Sequence, residues 1–246
     1  MGGGWVVHIK EDQKLELSVI MPCLDEERTV GYCVDEARQF MDEHHINGEI
    51  IVVDNVSEDV SATVALEHGA KVITEKRKGY GSAIRTGIAN STGKVLIIGD
   101  ADTTYDFGHL EEMYQPLANG NFDMVIGNRY AGGFEKGAMP WTHKWGVKFL
   151  SYCGRKRFGV EVYDFHCGLR AVTRQAVEQL SFHTEGMEFA TEMIAEAAKK
   201  NLRIKQVPVH LRKCEYARKS KLRTIRDGFR HLRYIFIQEQ SEFFKK

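Results

Sequence analysis

The chain has 246 residues with 34 Lys+Arg against 34 Asp+Glu, and 43% hydrophobic with 28% charged residues excludes collagen-like, low-complexity and disordered chains. No run reaches the ~18 apolar residues of a membrane span. Met1 to Trp5, with three glycines, has neither the basic start nor the apolar core of a signal peptide, so a cytoplasmic protein is expected.

Leu15 to Pro22 is a short apolar run with β-branched members, followed by Asp25-Glu26-Glu27 and a helix-like stretch from Thr29 to His45. Glu49 to Asp54 repeats the pattern as a strand ending on an acid, with Ser57-Glu58-Asp59 expected to cap a second helix running to His68. Lys71 to Thr74 is a third strand, Gly79 to Asn90 a helix opened by glycines, and Lys94 to Gly99 a fourth strand. Asp106 to Ala118 is then a helix and Asp123 to Gly127 a fifth strand. Strands alternating with helices predict parallel pairing and helices on both faces.

Beyond Gly127 the alternation loosens into a Gly-rich loop (Tyr130 to Met139), a helix near His143 to Phe158 and a short strand around Gly168 to Val172. Helices near Arg174 to Leu180 and Glu188 to Lys200 follow, then a strand from Leu202 to Val209. The last piece, Lys221 to Gln238, sets Leu222, Ile225, Phe229, Leu232 and Phe236 at helical steps, with Arg223, Arg226, Arg230 and Arg233 elsewhere. It is expected to be a basic amphipathic helix whose apolar stripe rests on a membrane surface or on the domain. The overall neutrality is uneven, since Lys199 to Lys246 holds 15 Lys+Arg against 4 Asp+Glu. Such a basic segment suits phosphate-bearing partners.

In open parallel sheets ligands sit beyond the carboxyl ends of the strands. Those ends are polar here: Pro22 to Glu26, Asp54-Asn55, and Gly99-Asp100-Ala101-Asp102. Three acidic ends suit ribose hydroxyls, a base edge and a divalent cation. Asp100 and Asp102, directly after Val95 to Ile98, could hold Mg²⁺ or Mn²⁺, hard ions that share coordination with substrate phosphates. Lys76 to Ala83 joins a cationic run to a G-x-G-x-x-A helix opening. As a dinucleotide fingerprint it would have to follow the first strand, whereas it follows the third after a charged insert, which counts against an oxidoreductase. Cys23, Cys33, Cys153, Cys167 and Cys214 contain no C-x-x-C pair and are read as reduced thiols. His143, His166 and His210 show no metal-ligand spacing and are expected to be structural.

The ordered set of Pro22 to Glu26, Val53-Asp54-Asn55, Lys78 to Ala83, Gly99 to Asp102, Gly127 to Tyr130, Asp164 to Arg170 and Ser220-Lys221-Leu222 resembles glycosyltransferase family 2. It looks most like the polyprenyl-phosphate sugar transferases, the dolichol-phosphate mannosyltransferase group, over roughly Leu15 to Arg233. The resemblance implies an α/β GT-A fold: a Rossmann-like, mostly parallel sheet with helices on both faces and a mixed acceptor-side half. It implies a nucleotide-sugar donor, Mg²⁺ or Mn²⁺, and inversion at the anomeric carbon. The expected partition is an extension over 1–14, a GT-A domain over 15–220 and a C-terminal helix and tail over 221–246. Within the domain, 15–128 would serve the nucleotide sugar and 129–220 the acceptor.

By position, Pro22, Leu24, Asp25, Glu26 and Asp54 would line the nucleoside pocket, with Lys78 and Gly79 also on the donor side. Asp100 and Asp102 would serve metal and diphosphate, and Arg218, Ser220 and Lys221 would close over the donor. Arg129, Lys144 and Arg170 would face the acceptor, although Arg170 could equally be a structural partner for an acid. An acceptor lipid phosphate is already anionic and needs no general base, whereas a hydroxyl acceptor needs one, with Asp164 or Glu188 the candidates. Departures from the family pattern are Asp25 where Asn is usual, Thr104 where some relatives place Gln, and Val56 where Gly is common. The expected partners are a nucleotide sugar, a polyprenyl phosphate and an anionic membrane surface at the cytosolic face, with no nucleic acid. The alternatives are the same transfer to a soluble or peptide hydroxyl, or a nucleotide- or phospholipid-binding module without turnover.

Overall fold

Buried β-branched runs build one seven-stranded sheet in the computed structural model, which describes residues 15–214, 216 and 224–238. The first half comprises β1 (Leu17–Cys23), α1 (Val30–Glu43), β2 (Gly48–Asp54), α2 (Ser61–Glu67), β3 (Lys71–Thr74), α3 (Tyr80–Ala89) and β4 (Val95–Ile98). It continues through α4 (Glu111–Ala118) to β5 (Met124–Asn128). The second half adds α5 (Arg129–Gly132), α6 (Trp141–Phe158), β6 (Arg170–Thr173), α7 (Arg174–Val177), α8 (Phe189–Lys199) and β7 (Ile204–Pro208). α9 (Thr224–Arg233) follows and runs into a π-helical turn, Tyr234–Gln238.

The strand order is β3-β2-β1-β4-β6-β5-β7. Parallel pairs join β1 to β2 and β4, β2 to β3, and β5 to β7, while β6 runs antiparallel between β4 and β5. Strands from both expected halves therefore share one sheet. β1 and β4 are buried almost throughout, as continuous apolar strands covered on both faces should be. The chain leaves β1 toward β2 on one side and β4 lies on the other, so a crevice opens beyond their carboxyl ends.

Two helix starts differ from expectation because side chains there have other partners. Ser57 Oγ accepts from the Asp25 N–H (3.0 Å), Asp59 accepts from the Glu27 N–H (3.1 Å), and Asp25 in return accepts from the Glu58 N–H (2.8 Å). The segment meant to cap α2 is instead laced to the loop after β1, and α2 begins at Ser61, whose hydroxyl accepts from the Glu26 N–H (2.7 Å). Asp106 accepts from the Gly108 N–H (3.0 Å) and pairs with Arg212, which also holds Glu36 at 2.7 Å. That turn delays α4 to Glu111.

On the C-terminal helix the predicted apolar stripe is not the face that packs on the domain. Asp227, His231, Tyr234 and Ile235 are buried, Leu232 is half-buried, and Phe229 and Phe236 are exposed. α9 packs on α6, and polar Asp227 and His231 face inward because they meet a polar pocket there. Leu222 and Arg223 lie outside the described residues.

Candidate active site

A cleft of about 960 Å³ lies beyond the carboxyl ends of β1 and β4. One wall carries Pro22, Leu24, Glu26 and Asn55, and the floor carries Asp100, Asp102, Tyr105 and Arg129. The opposite wall comes from the segment before α6, from α6 itself and from α9, including Met139, Val147, Leu150 and Leu232.

Three loops at this edge contain non-glycine residues in left-handed backbone: Asp25 (φ 50°), Val56 (φ 64°) and Thr103 (φ 62°). Asp tolerates that region almost as Asn does, so the departure at Asp25 costs little. Val56, which is β-branched, holds a turn suited to glycine at a cost of about 1–2 kcal/mol. The turn geometry is therefore retained without the glycine.

Asp102 is 4% exposed, and one of its oxygens accepts from the Thr104 N–H (3.0 Å) and from the Thr104 hydroxyl. Thr104 thus fastens the carboxylate instead of offering an amide to the cleft. Asp100 is half-buried and hydrogen-bonded to Tyr80, whose phenol is pushed well up by burial and then by the Asp100 charge. A Cβ at Gly168 would stand 2.4 Å from Asp100 Oδ2, so only glycine lets that carboxylate sit there. The donor chemistry fits a hard divalent ion, since both groups are carboxylates on the cleft floor. Among the described residues no cluster of three or more His, Cys, Asp or Glu forms a metal cage. An ion held by Asp100 and Asp102 would therefore complete its shell from substrate phosphate and water.

The remaining donor-side residues divide. Pro22, Leu24 and Glu26 line the cleft, while Asp25, Asp54, Lys78 and Gly79 do not. Asp54 is 7% exposed and accepts from the Ser57 N–H (3.2 Å), shaping the loop that carries Asn55. Gly79 gives its N–H to Asn55 Oδ1 (2.7 Å), and a Cβ there would meet the Glu185 carbonyl oxygen at 2.1 Å. The glycine-opened helix start thus packs against the 184–185 loop, and the Ser82 N–H also goes to Glu185 O (3.2 Å), so it forms no phosphate cradle. Arg218, Ser220 and Lys221 lie outside the described residues.

On the acceptor side, Arg129 and Asp164 form a buried bidentate pair, Nε–Oδ2 2.7 Å and Nη2–Oδ1 2.8 Å, and the Arg129 N–H adds a third bond to Oδ2 (3.1 Å). Asp164 is fully buried, so its proposed role as a proton acceptor conflicts with its commitment to this guanidinium. Arg170 is corrected outright: it is 2% exposed and donates to the carbonyls of Phe165 (2.6 Å), Cys167 (2.8 Å) and Ala190 (2.6 Å). It braces the backbone and reaches no acceptor. Lys144 is not on the cleft lining: its Nζ lies 4.2 Å from the Phe134 ring centroid, and it lines a smaller depression with Tyr130, Trp145 and Lys148. Glu188 is not on the cleft lining, and Arg230 stands 3.9 Å from its Oε2.

Sequence reasoning gave no individual site role to Asn55, Tyr80 or Tyr105 and did not pair His166 with His231. Tyr105 is buried in the floor, where its hydroxyl accepts from the Gly168 N–H (2.8 Å). His166 Nε2 and His231 Nδ1 are 3.2 Å apart, and the Thr191 hydroxyl lies 2.8 Å from His231 Nδ1. Burial, with each ring's cationic surroundings added, depresses both imidazoles, His231 to about 4. The spacing of 65 residues between the partners gives no sequence signal. The five cysteines are free, and burial pushes the Cys167 thiol up to about 11, as expected of inert reduced thiols.

A parallel-rich sheet with acidic strand ends opening on one cleft defines a GT-A glycosyltransferase fold. The chain superposes on glucosyl-3-phosphoglycerate synthase from Mycobacterium tuberculosis, crystallised with Mn²⁺, UDP-glucose and phosphoglyceric acid, with a TM-score of 0.72 at 20% identity. That match covers 90% of this chain and 79% of the synthase. The chain belongs to glycosyl transferase family 2, whose model matches residues 18–181. It is 36% identical over 231 residues to the low-salt glycan biosynthesis hexosyltransferase Agl6 of Haloferax volcanii, covering 93% of this chain and 55% of that protein's length. It is also 27% identical to a dolichyl-phosphate hexose transferase of the same organism, covering 80% and 83% of the two chains. The chain is thus a glycosyl transferase family 2 domain, and its resemblance to the dolichol-phosphate sugar transferase group holds.

Proposed function

We propose that this glycosyltransferase moves a hexose, with inversion, from a nucleotide sugar to a polyprenyl phosphate at the cytosolic membrane face. The observation that carries the reading is the mixed lining of the cleft: Asp100 and Asp102 at the end of β4, and apolar Met139, Val147, Leu150 and Leu232 from the segment before α6, from α6 and from α9. A carboxylate floor suits a metal-bound diphosphate, and an apolar wall suits the first isoprene units of a lipid. The name of the dolichyl-phosphate hexose transferase agrees with that acceptor.

In this reading the loops bearing Pro22, Leu24 and Asn55 hold the nucleoside. A divalent cation on Asp100 and Asp102, when bound, would neutralise the charge of the departing diphosphate. The acceptor phosphate oxygen attacks the anomeric carbon as the bond to the diphosphate breaks on the opposite face. That oxygen is already anionic, so no proton acceptor is needed, in keeping with Asp164 being locked on Arg129 and Glu188 lying off the cleft. Arg129 spends Nε and Nη2 on Asp164, which leaves Nη1 to meet the incoming phosphate. No described helix is long and apolar enough to cross a membrane.

The test compares a short-chain polyprenyl monophosphate with the corresponding polyprenol as acceptor for labelled nucleotide sugars. Product with the phosphate and none with the alcohol is expected. Ready transfer to the alcohol, or to a peptide hydroxyl, would replace the reading with a base-dependent reaction.

A further inference from the structure

The chain leaving β7 stitches together two of the loops that border the cleft. The Val209 N–H donates to Asn128 O (3.1 Å), the Leu211 N–H to Gly133 O (3.0 Å) and the Lys213 N–H to Glu135 Oε2 (2.7 Å), so these residues follow the segment after β5. Between them the Arg212 N–H goes instead to Thr104 O (2.9 Å), in the loop that carries Asp102. Extended chain presents successive residues to opposite sides, which lets three consecutive residues hold two loops at once. Lys213, Cys214 and Tyr216 then line the cleft.

The Arg212 side chain grips the same loop a second time. Its Nη1 donates to Glu36 Oε1 on α1 (2.7 Å), its Nη2 pairs with Asp106, and the other Glu36 oxygen accepts from the Phe107 N–H (3.2 Å). α1, the Asp106-Phe107 turn and the segment after β7 thus close into one ring around a single guanidinium. A planar fork suits that task, because it can meet carboxylates from two elements at fixed angles. The loop between β4 and this turn needs outside anchors. Thr103 sits in left-handed backbone at φ 62°, a conformation that persists only where the surroundings hold it. The Thr103 N–H goes to Cys33 Sγ (3.3 Å), and the Thr29 hydroxyl donates to Ala101 O (2.8 Å). Thr104 is held from both directions: Arg212 takes its carbonyl, while its own N–H and hydroxyl fasten Asp102.

We infer that Arg212 is a positioning residue, which pins the 102–107 loop to α1 and to the segment after β7 and so sets the Asp102 carboxylate for its ion. The inference rests on the reading of Asp100 and Asp102 as the groups that hold a divalent cation. Partners that orient a metal-binding side chain govern affinity without touching the metal, and their loss weakens binding by roughly 10–100-fold.

The test titrates the full chain with Mn²⁺ alone, following the spin-resonance signal of the free ion, and measures amide hydrogen exchange over 102–107 without metal. Asp102→Asn locates the ion by losing its binding. Arg212→Gln should bind Mn²⁺ about tenfold more weakly and exchange the 102–107 amides about tenfold faster, with β4 unchanged. Arg212→Lys, which keeps the charge and loses the fork, should recover part of both. Glu36→Gln should weaken binding in the same direction, and combined with Arg212→Gln it should cost no more than Arg212→Gln alone, since both act through one ring. Wild-type Mn²⁺ affinity in Arg212→Gln, even with a lowered melting temperature, would overturn the inference by showing a purely structural pair. Fully additive losses in the double variant would also overturn it. Mn²⁺ binding by Asp102→Asn equal to wild type would instead refute the ion site, and the exchange rates then decide the hold on the loop: unchanged rates in Arg212→Gln overturn it and faster ones uphold it.

Discussion

Acidification should weaken this protein in a pH window set by a buried imidazole. His231 is 4% exposed on α9 and touches His166 and Thr191, with Asp227 and Arg170 as its charged surroundings. Burial chiefly, and the Arg170 charge secondarily, outweigh the opposing pull of Asp227 and bring its pKa from 6.5 to about 4. The unfolded chain therefore takes up a proton between pH 6.5 and 4 that the native state refuses. Stability from this group is full above pH 6.5 and falls as the pH drops, with the loss complete below pH 4. The shift of roughly 2.5 units corresponds to about 3 kcal/mol. His166, depressed by burial and by His231, adds to the same direction. Glu75, held down to about 2 by Arg77 and Thr86, loses its contribution only as the pH falls below its ordinary value of 4.5, so the span from 6.5 to 4.5 reports mainly on the histidines. Urea unfolding at closely spaced pH values reads the slope. His231→Asn keeps a polar atom for Thr191 and removes the titration, and should flatten the curve by about the amount given. A wild-type curve that is level from pH 6.5 to 4.5, or a variant that tracks it in parallel, would refute the burial argument.

Val56→Gly should raise stability by about 0.5–1 kcal/mol in denaturant unfolding, since glycine relieves the left-handed strain at φ 64° while adding some freedom to the unfolded chain. Asp164→Asn should cost about 3–5 kcal/mol because it leaves the buried Arg129 without its carboxylate, and a loss below 1 kcal/mol would show the pair to be solvated. Gly168→Ala forces a methyl against Asp100 Oδ2 and should weaken Mn²⁺-dependent binding of nucleoside diphosphate about tenfold by calorimetry, a factor worth 1.4 kcal/mol.

The first half of the fold was legible because its strands are apolar runs that end on acids, and the alternation from Leu17 to Asn128 leaves little choice of topology. The position of β6 was not. Arg170 to Thr173 reads as a short strand, but nothing local says that it enters antiparallel between β4 and β5. Residue chemistry placed Asp100 and Asp102 on the cleft floor because strand ends are fixed by the sheet. It left Arg170 between two roles, since an arginine spent on three carbonyls and one aimed at a phosphate look alike in sequence. On α9 the helical period was legible but not what lies beneath the helix: Phe229 and Phe236 stay exposed, while Asp227 and His231 turn inward. Partners 65 residues apart, such as His166 and His231, become visible only when the fold joins them.

The most direct test of the central claim is release of nucleoside diphosphate from a panel of nucleotide sugars with polyprenyl phosphate present, measured for wild type and Asp102→Asn, with and without EDTA. Wild-type release that requires both the lipid phosphate and a divalent cation, and that falls by 10²-fold or more in Asp102→Asn while the melt is unchanged, is the predicted result. Release that survives EDTA and the Asp102 substitution, or that proceeds equally without lipid phosphate, would contradict it.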